Sequence, residues 1–98
     1  MTLIRSELIG FGHYLPAKVL TNDDMAKMVE TNDEWISTRT GIKSRHVAAE
    51  NEFTSDISLI AARNALKSAN ISAEDLDLII VATVTTDDTT PSTAAKIS

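Results

Sequence analysis

Trp35 and Arg39 are the two residues whose types and spacing could do chemistry together. They stand four apart in DEWISTRTGI, residues 33–42, and Trp35 is the one tryptophan in the 98-residue sequence. If the segment is helical, positions i and i+4 share a face, with β-carbons about 5–6 Å apart. An indole offers a broad flat surface, and a guanidinium offers planar donors that pair with phosphate or with ring nitrogens. Side by side they suit a nucleotide, the ring stacking and the cation binding. The same spacing describes a half-buried tryptophan with an arginine lying over it as a cation–π pair, and spacing alone favours that packing role. Between Trp35 and Ala49 there is no acid, while Arg39, Lys43 and Arg45 supply three of the nine cations in the chain. A local patch of this kind can hold a small anion on an acidic protein, because salt screens distant charges. On charge alone, a solvated basic face is the simpler account.

The other chemistry-bearing residues read more plainly. Gly10-Phe11-Gly12 has the start of a dinucleotide-binding turn, but Leu15 occupies the third glycine position and Pro16 follows where the phosphate-binding helix would begin. A strand exit is the better reading. His13 and His46 have no metal-ligand partner at helical or hairpin spacing, and Asp23-Asp24 and Asp87-Asp88 fit no calcium loop. They read as caps and loop solvation, and no metal site is expected. There is no Gly-x-Ser-x-Gly elbow to expose a serine and no cysteine. No catalytic residue is therefore assigned within this chain.

The elements that must position these side chains follow from pattern. Residues 3 to 12 read as a strand closing at Gly10 and Gly12 before a Leu15-Pro16 turn. Thr21 or Asn22 caps a helix whose first turn carries Asp23 and Asp24, with Met25, Met28 and Val29 at helical spacing. Asn32 or Asp33 caps a second, short helix that carries Trp35 and Arg39 and ends near Gly41. Residues 42 to 48 form a short strand or extended arm. Thr54 or Ser55 opens the best helix, whose apolar face is Ile57, Ile60, Ala61, Ala65 and Leu66, and Lys67 and Asn70 close it. After a capped turn at Ser72 to Asp75, the run Leu78, Ile79, Ile80, Val81 and Ala82 lacks alternation, the pattern of a central strand covered on both faces of a layered α/β sheet. Thr83 to Thr90 is a polar loop. Pro91-Ser92 opens a helix at Thr93 in which the sequence stops, which reads as part of a longer polypeptide.

Composition is globular, at 43% hydrophobic and 23% charged. Arg5 and Glu7 interrupt what a signal peptide would need, and no run approaches the roughly 18 apolar residues of a membrane helix. Together with the absence of cysteine, this fits a cytoplasmic protein. A net charge of −5 argues against general affinity for nucleic acid.

Read together, TNDDMAKMVETNDEWISTRTGIKSRHVAAENE, the Ala-rich helix and DLDLIIVATVTTDDTTPSTAAKIS resemble the N-terminal portion of the β-ketoacyl-acyl-carrier-protein synthase III family, condensing enzymes of the thiolase superfamily. The likeness covers nearly all 98 residues in order. DEWI-TRTGI is its specific signature, whereas LIIVAT is shared more widely. The resemblance implies an α/β chain, residues 1–98 being the N-terminal part of the first half of a five-layer αβαβα fold. It implies an enzyme that takes an acyl group from acyl-CoA onto a cysteine, then condenses it with malonyl-acyl-carrier protein, releasing carbon dioxide. Such enzymes are usually homodimers, and acyl-CoA is their substrate rather than a resident cofactor. By the same matching, Trp35 lies against the adenine, Arg39 along the nucleotide and Thr31 near that site, which reverses the preference for a packing role. The catalytic cysteine, histidine and asparagine of the family lie beyond this sequence, so the 98 residues alone are expected to be inactive. Thr90, where relatives can carry a bulky aromatic, implies room for primers longer or more branched than acetyl. The rival readings are a related synthase with another primer or acceptor, and a noncatalytic nucleotide-binding module.

Overall fold

A computed structural model of the chain describes residues 3–87 and 92–98. The expectations for Asp88, Thr90 and Pro91 lie outside these residues. Two compact units emerge, Leu15–Glu52 and Met1–Tyr14 with Phe53–Ser98.

The unit Leu15–Glu52 contains a two-stranded antiparallel sheet and two helices. Strand β1, Lys18–Thr21, pairs with β2, Ser44–Val47, in a register that sets Val19 opposite His46 and Leu20 opposite Arg45. The arm expected at 42–48 is thus a strand. Its partner was not anticipated, because four residues following Pro16 give too short a pattern to register. His46 also ties the sheet to the segment that leads into β1, its Nδ1 lying 2.6 Å from the Pro16 carbonyl oxygen.

Helix α1, Asn22–Ala26, is capped by Thr21 in a reciprocal arrangement. The Thr21 hydroxyl accepts from the Asp24 amide at 3.1 Å, and the Asp24 carboxylate accepts from the Thr21 amide at 2.9 Å. The Thr21 amide, and after it the Thr21 hydroxyl, hold the Asp24 carboxyl below its usual range. The helix is shorter than its apolar spacing suggested. Met28 and Val29 lie past its end, where their amides bond to the Met25 carbonyl in a turn. Helix α2, Asp33–Thr40, is capped by Asn32, whose side chain accepts from the Trp35 amide at 2.8 Å. It closes at Gly41, which has φ 72° in the left-handed region that glycine adopts without steric cost.

In the other unit, α3, Thr54–Ala69, is the long helix anticipated, closed by Asn70 in a left-handed conformation. Its N-cap position is Phe53, which has no side-chain oxygen to satisfy the first amides. Asp87 does so from 32 positions away, accepting from the Ser55 amide at 2.8 Å and the Ser55 hydroxyl at 2.5 Å. These donors hold the Asp87 carboxyl below its usual range, with a smaller contribution from Lys96 at 3.7 Å. The turn at Ala73–Asp75 is a single 3-10 turn, and α4, Thr93–Ile97, begins after Ser92 as expected.

Two expectations need correction in this unit. Residues 3–12 and 76–82 have no strand pairing among the described residues, because a ladder requires a neighbouring edge and none is present there. Nor is the run at 78–82 covered on both faces. Ile79 and Val81 are half-buried, while Leu78 and Ile80 are 75% and 81% exposed. An extended run packed on one side alternates in this way, whatever its sequence. Apart from Pro16, no apolar side chain is buried among the described residues.

Gly10 and Gly12 owe their identity to α3. A β-carbon at Gly10 would lie 2.7 Å from the Ala69 methyl, and one at Gly12 would collide with the Ala61 carbonyl oxygen and the Ala65 amide, both backbone. Backbone cannot swing aside as a side chain can. Gly12→Ala is therefore expected to destabilise the complete protein by about 1–3 kcal/mol. A urea melt checks this, and an unchanged midpoint would contradict the close approach.

Candidate functional site

Helix α2 presents the residues picked out by spacing. The Arg39 guanidinium lies over the Trp35 ring, 4.8 Å from its centroid, and Trp35 remains 52% exposed. The packing alternative and the ligand alternative therefore share one geometry. An exposed cation–π pair is worth about 0.5–1 kcal/mol, which suffices to bias two side chains but not to seal them against a ligand.

Trp35 stands between two open clefts. One, of about 570 Å³, is lined by Met25, Val29, Thr31, Asn32, Ile36 and Arg45 among others; the second, of about 310 Å³, by Asn32, Glu34, Thr38 and Arg39. Trp35 and Asn32 border both. The larger cleft is apolar on the Met25, Val29 and Ile36 side and carries both Glu30 and Arg45, a lining suited to a ring bearing polar substituents. Thr31 lines this cleft, and its Oγ1 is buried with no hydrogen-bond partner. A buried hydroxyl left unpaired costs about 1–3 kcal/mol. The three residues singled out from sequence thus lie within one region of one unit.

Sequence reasoning missed the residue that holds this region together. Asn22 is 2% exposed. Its amide nitrogen donates to Asp33 Oδ1 and the Ile42 carbonyl, each at 2.8 Å, and reaches Ser37 Oγ at 3.3 Å. Its amide oxygen accepts from Arg45 Nη2 at 2.8 Å, and its backbone amide donates to the Lys43 carbonyl at 3.2 Å. Ser37 donates to Asp33 at 3.0 Å and accepts from Lys43 Nζ at 2.9 Å. Asn22 and then Ser37, with Lys43 adding charge, hold the Asp33 carboxyl below its usual range. The signal in the sequence was the adjacency of Thr21 and Asn22. Only one can cap α1, and Thr21 does, which leaves Asn22 free to turn inward.

Among the described residues no group of three metal-ligating side chains comes together. No described helix is long and apolar enough to cross a membrane.

No family model matches the chain. Individual proteins do. Over 94 residues it is 57% identical to the β-ketoacyl-[acyl-carrier-protein] synthase III of Rhodospirillum centenum, covering 96% of this chain and 29% of that protein. The crystal structure of 3-oxoacyl-[acyl-carrier-protein] synthase III from Aquifex aeolicus superposes with a TM-score of 0.83 at 54% identity, over 91% of this chain and 29% of that one. The priming β-ketosynthase of the R1128 polyketide pathway superposes with a TM-score of 0.84 at 33% identity, over 92% of this chain and 27% of that one. The chain thus spans under a third of the length of the proteins it matches. In sequence and in fold, an α/β fold of the thiolase-like kind, it corresponds to the N-terminal portion of the β-ketoacyl-[acyl-carrier-protein] synthase III family.

Proposed function

We propose that this chain supplies part of the acyl-CoA site of an acyltransferase that starts type II fatty-acid synthesis. The complete enzyme, a cytoplasmic homodimer in this reading, transfers an acyl group from acyl-CoA to a cysteine outside these residues. It then joins that group to malonyl-acyl-carrier protein with loss of carbon dioxide, giving a β-ketoacyl product. The single observation that carries the reading is the half-exposed Trp35 under the Arg39 guanidinium, at the rim of two clefts. Trp35 offers its ring to the purine. Arg39 supplies planar donors to the base edge or the phosphates, which a lysine would not reproduce. Thr31 bounds the same region, as a lining residue of the larger cleft.

Turnover of acetyl-CoA and malonyl-acyl-carrier protein by the complete enzyme tests the activity. Formation of acetoacetyl-acyl-carrier protein supports it, and its absence, with every primer tried, overturns it.

A second reading differs only in primer or acceptor, and the R1128 priming enzyme, at a TM-score of 0.84, is the observation that favours it. Within either reading, the small side chain type at position 90, where relatives can carry a bulky aromatic, is proposed to admit a longer primer. Thr90→Phe should then lower kcat/KM for octanoyl-CoA more than for acetyl-CoA, and equal effects would remove the role. A stand-alone nucleotide-binding module fits poorly, since among the described residues no apolar side chain other than Pro16 is buried.

A further inference from the structure

We infer that Asn22 is the positioning residue of the Trp35–Arg39 platform, fixing α2 so that its nucleotide-binding face is presented in one orientation; this rests on the function proposed above. The two faces of α2 make the case. Asp33 and Ser37, four apart, share one side of the helix, and Trp35 and Arg39, four apart, share another. At 3.6 residues per turn, a two-residue offset turns one pair about 200° from the other. Asn22 grips the first pair, at 2.8 Å and 3.3 Å, so it sets the rotation of the helix from the side away from Trp35 and Arg39.

The grip is divided among separate segments. One primary amide engages the first turn of α2 at Asp33, the segment after α2 at the Ile42 carbonyl, and strand β2 through Arg45. Arg45 donates at the same time to the Leu20 carbonyl at 3.3 Å, which carries the connection into β1. No other side chain type reproduces this pattern. Asn presents two donors and an acceptor in one plane on a short stem. Asp has the shape but no donor, and would set a second carboxylate against Asp33. Gln has the donors but an extra methylene that a site 2% exposed cannot take without moving.

Asn22→Asp in the complete enzyme tests this most sharply. Two carboxylates in contact oppose each other's ionisation, so the pair holds a proton to higher pH than either would beside the same cations, Arg45 at the position-22 oxygen and Lys43 near Asp33. When that proton is present, it restores a donor between positions 22 and 33. The expected result is a KM for acyl-CoA raised about tenfold at alkaline pH and falling back toward the wild-type value as pH drops, with kcat at saturating acyl-CoA within about twofold of wild type. In a Trp35→Ala background the substitution should add little, because a platform already removed cannot be mispositioned. A pH-independent KM, a fall in kcat without a change in KM, or full additivity with Trp35→Ala would each overturn the inference. Should Asn22→Asp fail to fold, Ser37→Ala removes a single arm of the same grip. A KM raised about threefold then supports the role, and an unchanged KM overturns it. The underlying reading fails separately, if Trp35→Ala itself leaves KM unaltered.

Discussion

Trp35→Ala in the complete enzyme is expected to raise KM for acyl-CoA at least about fivefold while leaving decarboxylation of malonyl-acyl-carrier protein near its wild-type rate. Stacking a base on an aromatic ring contributes about 1–3 kcal/mol, which corresponds to about 5- to 150-fold in an apparent affinity. Where in that range the effect falls depends on Arg39. In the free protein the guanidinium already covers the ring at 4.8 Å. If the purine takes that face, it must displace a contact worth about 0.5–1 kcal/mol, and the net loss lies at the lower end. If it takes the opposite face, indole, base and guanidinium form one stack and the loss is larger. Malonyl-acyl-carrier protein does not depend on this purine contact, so the split between the two substrates is the diagnostic feature. Equal impairment of both would mean that Trp35 holds the fold rather than the ligand. Initial-rate kinetics with each substrate varied in turn measures the difference.

The 98-residue chain by itself is expected to give no condensation at all. Forming an acyl-enzyme requires a thiolate or an equally activated nucleophile, and the sequence has no cysteine. Serines do approach carboxylates, most closely Ser37 to Asp33 at 3.0 Å and Ser55 to Asp87 at 2.5 Å. Neither pair is a nucleophile and its base. Hydrogen bonds from Asn22 and Ser37 at Asp33, and from Ser55 at Asp87, stabilise the ionised carboxylates and lower their proton affinity. A base with lowered proton affinity is a poor acceptor at neutral pH, so these contacts are helix anchors. Incubating the isolated chain with labelled acetyl-CoA and malonyl-acyl-carrier protein reads this directly. Label transferred to the protein or to the carrier would contradict it.

Local rules made the helices legible and non-local pairing made the sheet obscure. Asn32, Thr21, Gly41 and Asn70 act where capping chemistry places them, since a cap is decided within about four residues. The span Thr54–Ala69 was legible from a long apolar face. The extended segments were not, because an apolar run such as 78–82 shows what it would bury against but not whether a partner is within reach. The site divides in the same way. Trp35 and Arg39 were visible as a pair four apart, whereas Asn22 was not, since its partners lie 11 to 23 positions further on and nothing in the local pattern joins them. Asp87 hides for the same reason, capping a helix that starts 33 residues earlier. In the sequence Gly10 and Gly12 look like a strand exit, because the α3 residues that exclude their β-carbons, Ala61, Ala65 and Ala69, are far along the chain.

The position of the purine in crystals of the complete enzyme bound to coenzyme A tests the central claim most directly. The adenine ring should lie parallel to the Trp35 indole at stacking distance, with the Arg39 guanidinium on the base edge or a phosphate. An adenine bound away from α2, with Trp35 and Arg39 unchanged from their free arrangement, would contradict it.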